Sequence, residues 1–182
     1  MVKATTAGNE NYNGASAEQT ITLTKADQNV SFALPTNLTF NTSTGLSATA
    51  LDSGTVSFSV LSGPATIDGS GKLVATSGTG SVVVRATATG DSNYNGAFLD
   101  QTITLAKAGQ SVSFRPTGSL TFDTTTGLGA SPTGAGAVTY ELVNAADASK
   151  VSISGNQVRA LSGTGTVQIR AVTLGNENYS GA

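Results

Sequence analysis

A short segment centred on Asn-Tyr occurs three times in this chain of 182 residues, and it constrains the fold more than any other feature. It reads Gly-Asn-Glu-Asn-Tyr-Asn-Gly-Ala at residues 8–15, Gly-Asp-Ser-Asn-Tyr-Asn-Gly-Ala at 90–97 and Gly-Asn-Glu-Asn-Tyr-Ser-Gly-Ala at 175–182. The segment Gln-Thr-Ile-Thr-Leu also occurs twice, at residues 19–23 and 101–105. A period of about 80 residues is too long for a solenoid unit and fits one small domain per repeat.

This spacing predicts three segments. Residues 1–25 are expected to be the closing strands of a preceding repeat, or else a strand donor. Residues 26–107 form repeat one, and residues 108–182 form repeat two, which is expected to lack its own last strand.

Composition argues against several function classes. The chain has no Cys, His or Trp, so the usual general base, the thiolate nucleophile and the commonest metal ligands are missing. Nine basic and eleven acidic residues are scattered along the chain, which disfavours nucleic acid as a partner and a paired-carboxylate active site. Apolar runs are far shorter than the about 20 residues that span a bilayer. We therefore predict no enzyme activity, no cofactor and no membrane insertion.

Apolar and polar residues alternate with period two, which predicts β-strands. Val82, Val84, Ala86 and Ala88, for example, share one face of a predicted strand at 81–89. Further strands of repeat one are predicted near 29–33, 38–41, 46–50, 55–61, 65–67, 72–76 and 101–106. No stretch shows a helical period. The fold class predicted is all-β, with aromatic core anchors at Phe32, Phe40, Phe58, Phe114, Phe122 and Tyr140.

The closing stretch resembles a known repeat type. It runs Arg-Ala-Thr at 85–87, Gly-Asp-Ser-Asn-Tyr-Asn-Gly-Ala at 90–97 and Thr-Ile-Thr-Leu-Ala-Lys-Ala at 102–108. This pattern resembles the last two strands of bacterial immunoglobulin-like tandem repeats in large surface proteins and adhesins. The resemblance implies tandem immunoglobulin-like β-sandwich domains in an elongated array at the cell surface or outside the cell. It implies no catalytic residues.

The Asn-Tyr segment admits two interpretations. Asp91 and Asn93 could offer oxygens to Ca²⁺, but Asn9 and Asn176 replace Asp91 in the other copies. The alternative is a structural loop, in which Asn bonds locally and the Tyr ring packs on the end of the sandwich with its hydroxyl bonded to backbone. The structural interpretation is preferred, and its residues are Asn11, Tyr12, Asn93, Tyr94, Asn178 and Tyr179.

The function predicted from sequence is a structural spacer or stalk. Its partners would be neighbouring repeats or copies of itself, joined head to tail by strand donation through Thr20, Ile21, Thr22 and Leu23. The alternative is an adhesion module that binds a glycan or a protein through its end loops.

Overall fold

The computed structural model describes residues 1–51, 55–116 and 118–182. Over these residues the chain is nearly all-β, with several sheets around two apolar cores, an arrangement consistent with a β-sandwich. The all-β prediction is therefore confirmed.

Residues 1–25 contain a two-stranded hairpin. Its strands are β1 (Val2–Thr6) and β2 (Ala15–Gln19), which pair antiparallel from Val2 opposite Gln19 to Thr6 opposite Ala15. Every residue of both strands is exposed. A lone two-stranded hairpin is at best marginally stable in water, because it buries little apolar surface.

In its described residues, 26–51 and 55–107, repeat one contains nine strands in three sheets. Its four-stranded sheet has the order β4-β11-β10-β7, its three-stranded sheet the order β5-β9-β8, and β3 pairs with β6. The strands are β3 (Val30–Phe32), β4 (Asn37–Thr39), β5 (Ser43–Gly45), β6 (Ala48–Ala50), β7 (Val56–Ser62), β8 (Ala65–Ile67), β9 (Lys72–Ala75), β10 (Ser81–Ala88) and β11 (Ala97–Ala106).

The core of repeat one lies under β10 and β11. Alternation along β10 places Val82 and Val84 inward and fully buried, while Arg85 points outward and pairs with Asp100. Ile103 of β11 lies opposite Val82 and is also fully buried. Strand β10 is thus paired on both edges, with β7 on one side and β11 on the other.

Repeat two, over residues 108–116 and 118–182, contains seven strands and one short helix. Strands β12 and β14 pair, β13, β17 and β16 form a three-stranded sheet in that order, and β15 pairs with β18. The elements are β12 (Val112–Phe114), β13 (Thr125–Gly127), β14 (Ala130–Pro132), β15 (Val138–Leu142), a 3₁₀ helix (Ala145–Ser149), β16 (Val151–Ser154), β17 (Gln157–Ala160) and β18 (Ile169–Thr173).

Most predicted strands lie within a few residues of observed ones, and three features differ. Strand β5 was not predicted, and β11 begins at Ala97 rather than near 101. The 3₁₀ helix was also missed, because five residues capped by the Asn144 side chain are too few to show a period.

Two predicted core anchors lie outside the cores. Phe122 is 59% exposed, and Phe40 is half-buried against the Tyr179 ring of repeat two. Phe32 is buried, and Phe58, Phe114 and Tyr140 pack against the two cores. Alternation assigns a residue to a face of a strand, but Phe122 lies in a turn outside any strand, where period two gives no information.

Candidate functional site

The three Asn-Tyr loops share one backbone turn. In repeat one, Oδ1 of Asp91 accepts hydrogen bonds from the amides of Asn93 and Tyr94, both at 2.7 Å. Asn176 does the same for Asn178 and Tyr179 at 2.8 and 2.9 Å, and Asn9 serves the hairpin loop in the same way. This is an Asx turn, in which a short side-chain oxygen satisfies backbone donors.

Asp91 carries a charge that its counterparts Asn9 and Asn176 lack. Hydrogen bonds from the amides of Asn93 and Tyr94 lower the pKa of the Asp91 carboxyl, because they favour its ionised form. Asn9 and Asn176 make the same bonds without a charge, so the turn itself does not require a carboxylate. One oxygen of the calcium candidate Asp91 is thus already engaged by backbone amides, which favours the structural interpretation.

Each loop of the two repeats is tied to the first residues of its own repeat. The Ala26 amide donates to the Asn93 carbonyl, and the Asn95 amide donates to the Ala26 carbonyl, both at 2.8 Å. Ala108 makes the same pair of bonds with Asn178 and Ser180, at 2.9 Å each. The loop therefore lies where the chain enters the repeat.

Two glutamines that sequence reasoning did not single out support these attachments. Nε2 of Gln28 donates to the Asn95 carbonyl at 2.8 Å, and Nε2 of Gln110 donates to the Ser180 carbonyl at 2.6 Å. Gln28 lies two residues after Ala26, and Gln110 lies two residues after Ala108. A comparison of polar positions between the two repeats would therefore have identified both glutamines.

The loop of repeat two also contacts repeat one, and we call this contact the repeat joint. The Ser77 hydroxyl donates to Oε1 of Glu177 at 3.0 Å, and the Gly78 amide donates to Oδ1 of Asn178 at 3.0 Å. The rings of Phe40 and Tyr179 meet edge to face, with centroids 5.4 Å apart. Aromatic pairs at this distance and angle contribute about 0.5–1.5 kcal/mol beyond area burial.

Close packing at the joint requires a glycine at position 78. A Cβ added to Gly78 would lie 2.7 Å from the Glu177 carbonyl oxygen and 2.9 Å from Cα of Asn178. Both of these atoms belong to the backbone, so no side-chain rotation could relieve the clash.

The three tyrosines differ in their surroundings. Tyr94 and Tyr179 are half-buried, whereas Tyr12 is 76% exposed. The expected bond from a loop tyrosine hydroxyl to backbone is not found among the described residues. The tyrosine hydroxyl that does bond to backbone is that of Tyr140, which donates to the Leu128 carbonyl at 2.7 Å.

A second feature of interest is a groove in repeat two of about 230 Å³, which we call the apolar groove. Five apolar residues in its lining have counterparts in the core of repeat one, where Ile103 and Leu105 of β11 complete the packing. The groove residues are Leu120, Leu128, Val158, Val167 and Ile169, and their counterparts are Leu38, Leu46, Leu73, Val82 and Val84.

The strand next to the groove pairs with another strand along one edge. Strand β18 pairs with β15, and within the described residues its other edge is bonded at one position, where Thr173 and Ala182 exchange backbone hydrogen bonds of 2.8 and 2.9 Å, as Ala88 pairs with Ala97 in repeat one. Val167 and Ile169 are half-exposed, whereas their counterparts Val82 and Val84 are fully buried.

The predicted donor residues lie just beyond β2. Thr20, Ile21, Thr22 and Leu23 are all exposed, Ile21 by 62% and Leu23 by 89%. They occupy the sequence positions of Thr102, Ile103, Thr104 and Leu105, of which Ile103 and Leu105 are buried. The structure thus contains an apolar groove in repeat two. It also contains, outside that groove, the exposed side chains of Ile21 and Leu23, which are of the same type as the side chains that complete the core of repeat one.

Comparison with known proteins identifies no family for this chain. The chain matches no protein-family model, and no curated protein shows significant similarity to it. Among the described residues, no group of three or more acidic side chains is placed to hold a metal ion. No helix in the described part of the chain is long and apolar enough to cross a bilayer.

Proposed function

We propose that this chain consists of structural spacer repeats, immunoglobulin-like β-sandwiches arranged end to end in a stalk of a bacterial extracellular or cell-surface protein. The observation that carries the proposal is the repeat joint. A spacer must hold consecutive units in a fixed relation, which requires specific contacts between them. The joint supplies three hydrogen bonds, the third from the Thr79 hydroxyl to Oε1 of Glu177 at 3.5 Å, and one aromatic contact from a loop that recurs in every copy.

A distance measurement across the joint tests the spacer proposal. Because the chain has no Cys, cysteines introduced at the exposed positions Ser59 and Thr139 provide two unique sites for spin labels, one in each repeat. We expect pulsed electron paramagnetic resonance to give one narrow distribution of the distance between the two labels, since the joint fixes the repeats relative to each other.

A pair within repeat one provides the reference width. Ser59→Cys with Asn37→Cys places both labels at exposed positions of the same four-stranded sheet. If the distribution across the joint is several times broader than this reference, the repeats move independently and a semi-rigid spacer is ruled out.

The second candidate function is an adhesion module, favoured by two exposed aromatic rings. Tyr12 lies at the hairpin loop, and Phe98 is 60% exposed with the Arg85 guanidinium 4.0 Å from its ring centre. Binding of a glycan or matrix protein that is lost in Tyr12→Ala would favour this candidate over the spacer.

Within the spacer proposal, we propose that chains join head to tail by strand donation. Residues 19–23 of one chain would add beside residues 166–169 of another, which lead into β18, and place Ile21 and Leu23 in the apolar groove, because residues 101–104 pair with the matching residues 81–84 in repeat one. The pentapeptide is identical to residues 101–105, which occupy the corresponding edge in repeat one. Donation of all five residues requires Val2 of β1 to leave Gln19, because Val2 pairs with Gln19 on the edge that would face Ile169.

Sedimentation of the full chain tests strand donation. We expect association that grows with protein concentration and that weakens by more than tenfold in Ile21→Ser/Leu23→Ser. Each fully buried side chain of this kind contributes about 1.5–3 kcal/mol, and about 1.4 kcal/mol corresponds to a factor of ten. Thr20→Ala/Thr22→Ala is the matched control, because the counterparts Thr102 and Thr104 point to solvent. Equal weakening by both double variants would contradict donation.

A further inference from the structure

We infer that repeat two carries a second docking surface for an Asn-Tyr loop, formed by Phe122, Ser162 and Gly163, and that its occupant is the loop at 92–94 of a second copy of this chain. We call it the second acceptor surface. The inference rests on the proposed head-to-tail assembly and adds a contact that strand donation alone does not require.

The residues of this surface repeat those of the observed joint. Phe122 corresponds to Phe40 and follows the same Leu-Thr, at 120–121 and 38–39. The turn Ser-Gly-Thr-Gly at 162–165 is identical to the turn at 77–80 that contacts Glu177 and Asn178. Repeat two therefore carries the same three groups. Its Ser162 hydroxyl donates to the Thr164 carbonyl at 3.1 Å and would turn from that carbonyl to reach the loop.

The two surfaces differ in what covers them. Ser77 and Gly78 are buried and Phe40 is half-buried beneath the loop of repeat two. Gly163 is exposed, and Phe122 is 59% exposed. A Cβ added to Gly163 would meet only Cβ of Phe122, at 3.6 Å, whereas the same Cβ on Gly78 would clash with backbone. The second surface thus has room for a loop of the same shape.

Chain connectivity selects the occupant. Residues 101–106 complete repeat one and lead through Ala108 into repeat two, where Ala108 pairs with the residues that flank Tyr179. A donated segment 19–23 would lead in the same way through Ala26 into repeat one of the donor, where Ala26 pairs with the residues that flank Tyr94. The donor chain then presents Asn93 and Tyr94 at the second acceptor surface, as Asn178 and Tyr179 are presented at the joint.

The expected hydrogen bonds follow from the observed joint. Oδ1 of Asn93 would accept from the Gly163 amide, as Oδ1 of Asn178 accepts from the Gly78 amide. Ser92 stands where Glu177 stands in the joint, so a hydroxyl replaces a carboxylate as the partner of Ser162. Tyr94 would meet the exposed ring of Phe122 edge to face.

Gly163→Ala is the decisive variant, with Gly127→Ala as its matched control. Both glycines are exposed in repeat two, and neither has a left-handed backbone. We expect sedimentation of the full chain to show that Gly163→Ala weakens head-to-tail association at least tenfold, because the added methyl would meet loop backbone. Gly127→Ala should associate like the wild type, because open space surrounds its Cβ position.

A second pair of variants tests the occupant. Asn93→Ala should weaken association, whereas Asn11→Ala, at the matching position of the hairpin loop, should not. Both side chains are exposed in the single chain, so neither change should affect folding.

The possible results of these experiments distinguish a failure of this inference from a failure of the proposals on which it rests. Association that depends on Ile21 and Leu23 but is unchanged in Gly163→Ala overturns the second acceptor surface and leaves strand donation in place. Dependence on Asn11 instead of Asn93 overturns the assigned occupant. A wild-type chain that stays monomeric at the highest attainable concentration overturns both contacts between copies, and the distance distribution across the joint then still decides the spacer function.

Discussion

Ile103→Ala is expected to lower the free energy of unfolding of repeat one by about 2–5 kcal/mol, the range for truncating a fully buried isoleucine. Ile103 has no exposed surface, and its partner across the strand pair, Val82, is equally buried. The loss combines the transfer free energy of the deleted carbons with the cost of a cavity between β10 and β11. Hydrogen exchange of the β10 amides measures this loss in repeat one separately from the stability of repeat two.

Ile21→Ala is the matched control for this prediction. Ile21 lies in the same pentapeptide, Gln-Thr-Ile-Thr-Leu, but is 62% exposed. We expect a change within about 0.5 kcal/mol, which is typical of surface positions. The measurement belongs at a concentration low enough that chains do not associate. Equal losses in the two variants would mean that residues 19–23 are buried in the folded chain, contrary to the described structure.

Gly78→Ala is expected to weaken the repeat joint by about 1–3 kcal/mol, the usual cost of overpacking a close contact. The added Cβ would lie 2.7 Å from the Glu177 carbonyl oxygen, so the loop must move away and lose its contacts with Ser77 and Phe40. The distance distribution between labels at positions 59 and 139 should broaden, while hydrogen exchange within each repeat stays unchanged.

Gly163→Ala is the control within the same Ser-Gly-Thr-Gly turn. Its added Cβ makes only an ordinary contact, and an alanine that fits without strain stabilises by about 0.4–1 kcal/mol through the unfolded chain. We therefore expect an unchanged distance distribution and a slight gain in the stability of repeat two. A distribution that stays narrow in Gly78→Ala would show that the contacts at the joint do not hold the repeats together.

Much of the fold was predictable because strand side chains alternate. Val82, Val84 and Ala86 were assigned to one inward face, and all three are fully buried. The same rule failed at Phe122, which lies in a turn where alternation does not apply. The short helix near Asn144 escaped prediction because its five residues show no period.

The candidate site was predictable only in part. Recurrence of Asn-Tyr in three copies identified the loop, and the Asx turn made by Asp91, Asn9 and Asn176 follows from local side-chain chemistry. Neither the pairing of the loop with Ala26 nor the role of Gln28 was predicted, since both join residues more than sixty positions apart.

The sequence by itself determined the strand faces, the recurring turn and the equivalence of positions between copies, because these depend on neighbouring residues and on repetition. Only the tertiary structure decided which copy of an identical segment is buried. Residues 101–105 complete a core and residues 19–23 remain exposed, although their sequences are the same. Likewise Gly78 is covered by a loop and Gly163 is open. Burial depends on which surfaces meet in space, and an identical local sequence carries no information about its distant neighbours.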